Sequence, residues 1–175
     1  MITLIQVALN NYPITLLLLG LLTAAISLAA THRQRTAERV ASTLLRWYLV
    51  FAVGFTFLAR FVLLGWFGDI APHLARASPD GLQHQVAAAC LGFALIGFLG
   101  GLGGLGSRLA SVVGSAAFLW GSALGLMLQA QPLGVSHPVD ATGYADLLLP
   151  LIGFGLLAWQ ARAQSRRSVF ARSRL

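Results

Sequence analysis

The chain has a single cysteine, no lysine, five acidic residues in 175, and only 10% charged residues overall. Each scarcity excludes something. One thiol, Cys90, cannot form an intrachain disulfide, and it lies in an apolar run where a thiol is usually inert. The four histidines, His32, His73, His84 and His137, fall at the edges of apolar runs or between them, and no H-x-x-x-H or E-x-x-H spacing is present. That removes the common metal templates and haem ligation from within a span. No Ser/His/Asp or Cys/His arrangement is assembled either, so the residues lean away from an enzyme and leave any cofactor unknown.

What is abundant is apolar surface. With 57% hydrophobic residues the chain lies outside the balance of a water-soluble domain, about 45–50% apolar and about 25% charged. The surplus must face something apolar, and lipid is the available partner. The net charge of +7 comes from twelve arginines, most of them in short clusters between apolar runs. That distribution fits the cytoplasmic loops of membrane proteins and argues against nucleic acid as a partner.

The central stretch is 84–105, which carries no formal charge after its polar start and is crowded with glycine and alanine. At about 1.5 Å per residue it crosses a core of about 30 Å. Around it the pattern predicts further spans over about 13–30, 44–66, 109–128 and 144–161, giving an all-α polytopic bundle of five spans in one domain. Pro13 suits a first helical turn. Residues Met1 to Asn10 carry no charged side chain, and the arginines Arg33, Arg35 and Arg39 follow the first span instead of preceding it. This is the reverse of a cleaved signal peptide, so the span is expected to stay in place.

Five spans place the two ends on opposite sides. With the N-terminus outside, the inner segments 31–46, 105–108 and 162–175 collect ten of the twelve arginines, the last segment as a basic cytoplasmic tail. The acidic Asp69, Asp80, Asp140 and Asp146 fall at or near the outer face. The positive-inside bias therefore predicts N-out, C-in, in a bacterial inner membrane.

Arg60 is the one basic residue well inside a span. A charge there costs at least about 2.5–3.5 kcal/mol on insertion scales unless it is paired or reaches water. Counting back from Trp66, it lies about 9 Å below the outer interface. It can snorkel outward, pair with Asp146 near the outer start of the fifth span, or hold an anion or headgroup. Gln83 and His84 open the third span at the same face, so Arg60, Gln83, His84 and Asp146 form the candidate ligand site. The string Gly101-Leu-Gly-Gly-Leu-Gly106 matches G-x-G-x-x-G but lacks the strand and helix of a dinucleotide fold, and reads as a helix end and tight turn. Gly97 and Gly101 in span three, and Ala117, Gly121 and Gly125 in span four, make small-residue rows. They predict close packing of spans three and four, with a homodimer face as the alternative.

The segment Leu82-Gln-His-Gln-Val-Ala-Ala-Ala-Cys-Leu-Gly92, after Ser78-Pro79, resembles a bacterial family of small integral membrane proteins classed as a domain of unknown function, whose pattern is S-P-x-Q-x-E-V-x-x-A-N-L-G. Ser78, Pro79, Gln83, Val86, Ala89, Leu91 and Gly92 match; Gln85 and Cys90 stand where the pattern has Glu and Asn, and the turn is two residues longer. The overall shape is also similar to DoxX-like proteins, without a shared motif. The resemblance implies a small membrane bundle and no activity. The leading expectation is a non-enzymatic accessory subunit or scaffold packing against a membrane partner or itself, in contact with membrane lipids. The alternatives are an outer-leaflet site for a lipid headgroup, quinone or small anion, and a small transporter.

Overall fold

In the computed structural model, which describes residues 11–30, 36–66, 82–130 and 141–172, the chain is all helical. Five helices follow in order: α1 (Tyr12–Ala30), α2 (Ala37–Trp66), α3 (Leu82–Leu102), α4 (Leu105–Ala130) and α5 (Ala141–Arg172). Four of them, α1, α2, α3 and α5, are long and apolar enough to cross a membrane. Expectations placed on Met1 to Asn10, on Ser78-Pro79 and on the polar segments 67–81 and 131–140 lie outside the described residues.

Two boundaries differ from the sequence reading. The second helix starts at Ala37, seven residues before the expected Leu44, because its first two turns are polar yet well capped. Thr36 has an extended backbone and its side chain accepts from the Arg39 amide at 3.4 Å, with Glu38 in the first turn adding a charge of the sign that a helix start favours. The arginine-rich tail is not a separate segment at its start: α5 runs without a break from Ala141 to Arg172. Nothing in its residues 162–172 breaks a helix, since the stretch contains neither proline nor glycine.

Helix α2 is the spine of the bundle, packing against α1, α3 and α5. Its middle, Leu49–Phe55, is wound as a π-helix between two α-helical halves. The wider turn carries a five-residue spacing, echoed by the Thr56 hydroxyl donating to the Phe51 carbonyl at 3.4 Å. This is also where α3 comes closest. A Cβ added to Gly97 would sit 2.6 Å from the Gly54 amide nitrogen, so the two backbones touch and only glycine fits. Gly101 likewise faces Val50 and the Arg46 carbonyl. The row Gly97–Gly101 therefore packs on α2, not on α4 as the sequence reading expected.

The core lies between α2, α3, α4 and α5, around Leu45, Leu49, Phe57, Ala94, Val112 and Leu149, all buried. Phe57, Phe93 and Phe118 bring three helices together, with ring centroids 4.9–5.5 Å apart. The turn between α3 and α4 is two residues, Gly103 and Gly104, in agreement with the tight turn read from the glycine string. Outward faces carry large apolar side chains, among them Leu18, Leu22, Leu99, Leu124 and Leu151. A helical bundle with its bulky aliphatics outside is what a lipid surround favours.

Candidate functional site

Two polar clusters lie at opposite ends of the bundle. The first joins α1, α2 and α5. Arg60, in the α-helical second half of α2, donates from Nε to the Tyr12 hydroxyl at 3.2 Å and from Nη2 to Asp146 Oδ1. The side chains of Arg60 and Asp146 are 14% and 13% exposed. The guanidinium also lies over the Phe57 ring, 5.8 Å from its centroid. A charge this far from water needs a counter-charge and satisfied donors, and here three helices supply them.

Of the four residues singled out as a ligand site, the structure brings two together. Arg60 and Asp146 form an ion pair. His84 is exposed at the start of α3 and makes no hydrogen bond or ion pair with either of them. The Gln83 side chain lies outside the described residues. Tyr12 was not anticipated. Its only sequence signal is position: a tyrosine at the first turn of α1, at the end of the bundle where Asp146 and Trp66 also lie.

The second cluster was missed altogether. Arg108 stands next to the α3–α4 turn and, from sequence, served only to mark the inner side. It is 8% exposed, and its Nη1 donates to the Ser42 hydroxyl (2.8 Å), the Ser42 carbonyl (3.3 Å) and Gln160 Oε1 (3.0 Å). Gln160 is itself buried. These bonds tie α2, α4 and α5 together. No local pattern announces them, because a short loop with one arginine looks the same whether the side chain points into solvent or into a groove.

Between the clusters, α5 carries Pro150, which lacks an amide and so frees a carbonyl in the preceding turn. Neighbouring helices lend donors to this region. Tyr48 donates to the Leu149 carbonyl at 2.6 Å, and Trp120 Nε1 reaches the Leu147 carbonyl at 3.4 Å. Gly153 gives Tyr48 its room, since an added Cβ would lie 2.9 Å from the hydroxyl.

The small-residue row of α4 is placed differently from expectation. Ala117 and Gly121 are exposed and Gly125 half-buried, and no described residue lies within 4 Å of a Cβ added to Gly121 or Gly125. Helix α4 meets α3 through other residues: Ser111 donates to the Ile96 carbonyl at 2.8 Å, and Gly100 abuts the same side chain. The face built for close approach points out of the bundle.

Helix content, an apolar exterior and the interior Arg60–Asp146 pair define an all-helical protein with four helices able to span a membrane. Within that class, the chain belongs to a family of unknown function (DUF6790), whose model matches residues 10–166. No curated protein and no solved structure matches it. The family description assigns no activity, and the DoxX-like similarity of shape has no counterpart in these matches.

Proposed function

We propose that the chain is a non-enzymatic, five-span subunit or scaffold of the bacterial inner membrane, N-out and C-in, that docks a membrane partner or a second copy on the outer face of α4. The observation that carries this reading is the row Ala117–Gly121–Gly125, whose glycines meet none of the described residues, on a bundle whose other glycine row, on α3, is already used. In lipid there is little hydrophobic drive between helices, so association depends on surfaces that let backbones approach. A small-residue face turned outward is such a surface.

The fifth span in this reading is α4. It has no charged residue from Leu109 to Ala130, and its 26 residues reach about 39 Å at 1.5 Å per residue. The orientation rests on the arginine distribution, with Arg39, Arg46, Arg108, Arg162 and the tail at one end and Asp146 at the other. The interior supports a structural role: Arg60 and Asp146 satisfy each other and leave little charge for a substrate.

The test is Gly121→Leu. The substitution meets no described residue of the bundle within 4 Å, so the helices still pack, while the close approach of a partner helix is blocked. In protein extracted gently from its own membrane, the wild-type particle should exceed the mass of one chain and its detergent, and Gly121→Leu should reduce it to that mass. A wild-type particle already of single-chain mass overturns the reading.

A second reading keeps Arg60, Tyr12 and Asp146 as an outer-leaflet site for a lipid headgroup, quinone or small anion. Its support is that both charged side chains retain some exposure. Loss of a co-purifying molecule in Arg60→Ala would favour it; unchanged co-purification would remove it.

A further inference from the structure

The Arg60–Asp146 pair joins two helices that are each interrupted about one turn away from it. On α2 the π-helical stretch Leu49–Phe55 ends five residues before Arg60, and on α5 Pro150 stands four residues after Asp146. Helices bend at prolines and at π-turns, because both interrupt the regular hydrogen-bond ladder. The ties Arg60 to Asp146 and Tyr48 to Leu149 show α2 and α5 running in opposite directions. Both interruptions therefore lie on the same side of the pair, toward the middle of the bundle. That side is held in place. Tyr48 donates to the Leu149 carbonyl, in the very peptide that enters Pro150, and Thr56 closes the wide turn of α2 on the Phe51 carbonyl. Gly54, inside that turn, lies against the Gly97 backbone of α3. Beyond the interruptions, the segments Thr56–Trp66 and 141–149 are joined by Arg60 and Asp146, with Tyr12 of α1 on the same guanidinium. The α5 segment has one further tie, the longer bond from Trp120 to the Leu147 carbonyl. Cys90 of α3 sits behind this joint. It is buried in one core cluster with Phe57, whose ring lies under the Arg60 guanidinium, and with Ala145, the neighbour of Asp146.

We propose that the Arg60 end of the bundle is a gate: the segments 56–66 and 141–149 swing about the π-helical turn and Pro150, the Arg60–Asp146 pair is the latch that holds them shut, and opening exposes Cys90. A hinged device needs a held side, a moving side and a contact made in one state and exchanged in the other. The first two are the arrangement just described. A charge pair suits the third, because each partner is stranded in a dry interior without the other, yet water replaces the lost partner once the segments part. An apolar contact at the same place has no such exchange. The gate does not depend on the docking face of α4, and it gives Arg60 and Asp146 a task that requires no ligand.

The experiment measures alkylation of the native Cys90 by a charged maleimide, on the full chain in mild detergent. The rate of such a reaction follows the population of the open form. The wild type should react slowly. Asp146→Asn keeps the shape of the side chain without its charge and should react at least about tenfold faster. Arg60→Lys, which keeps the charge but loses the planar fork shared by Tyr12 and Asp146, should fall between the two. Adding Pro150→Ala to Asp146→Asn restores an amide to α5 and should return the rate most of the way to that of the wild type. Arg108→Gln separates the gate from a general loss of stability. It breaks the buried cluster at the opposite end, and Cys90 should then react as slowly as in the wild type. The proposal is overturned if neither Asp146→Asn nor Arg60→Lys speeds the reaction, if Arg108→Gln speeds it as much as they do, or if Pro150→Ala leaves the rate of Asp146→Asn unchanged.

Discussion

Arg60 and Asp146, 86 residues apart in sequence, meet as an ion pair between α2 and α5, and Tyr12 from α1 closes the group. Removing one member leaves the other charge stranded in a largely dry setting. Asp146→Asn or Arg60→Gln is expected to cost about 3–5 kcal/mol, and the double change Arg60→Leu with Asp146→Leu less than either single one. Unfolding in a denaturing-detergent titration measures this. Equal loss in the single and double variants would show that the pair is not the cause.

The Gly97–Gly54 approach gives a sharper steric test. In Gly97→Ala the new methyl would meet backbone, 2.6 Å from the Gly54 nitrogen and 2.9 Å from its Cα, and backbone cannot rotate away. Overpacking of this kind costs about 1–3 kcal/mol. Gly121→Ala, which meets nothing within 4 Å, should stay within about 0.5 kcal/mol of the wild type. The same unfolding titration compares them, and similar stabilities for the two variants would contradict the α2–α3 contact.

Tyr48→Phe removes a single oxygen. The lost donor leaves the Leu149 carbonyl, in the turn beside Pro150, without its cross-helix partner. A loss of about 1–2 kcal/mol is expected, with little change in the shape of the ring's surroundings. Faster amide hydrogen exchange around Leu149 to Gly153 should accompany it, and unchanged exchange there would argue that the bond does not steady this part of α5.

Much of this fold was legible because long uncharged runs and arginine-bearing breaks report helices directly. The meeting of Arg60 with Asp146 was also within reach, since depth along a span can be counted from the interfacial Trp66. The choice of neighbours was not. In α3 apolar and small residues surround the helix almost evenly, so periodicity does not say that Gly97 and Gly101 turn to α2. The π-helical turn at Leu49–Phe55 leaves no mark in a run of ordinary apolar residues, although it sets the register of the α2–α3 contact. Arg108 was hidden for a different reason. A loop arginine and a buried one share the same local sequence, and only the partners Ser42 and Gln160, 66 and 52 residues away, distinguish them.

The outward face of α4 is the claim on which the functional reading turns, and cysteine cross-linking in native membranes addresses it most directly. In a Cys90→Ala background, Gly121→Cys should form an oxidised adduct, of doubled mass for a second copy or of defined larger mass for a partner. A cysteine at the exposed Leu151 of α5 should form none. A Gly121→Cys chain that stays at single-chain mass under oxidation, and is alkylated as freely as the Leu151→Cys chain, would contradict the docking face.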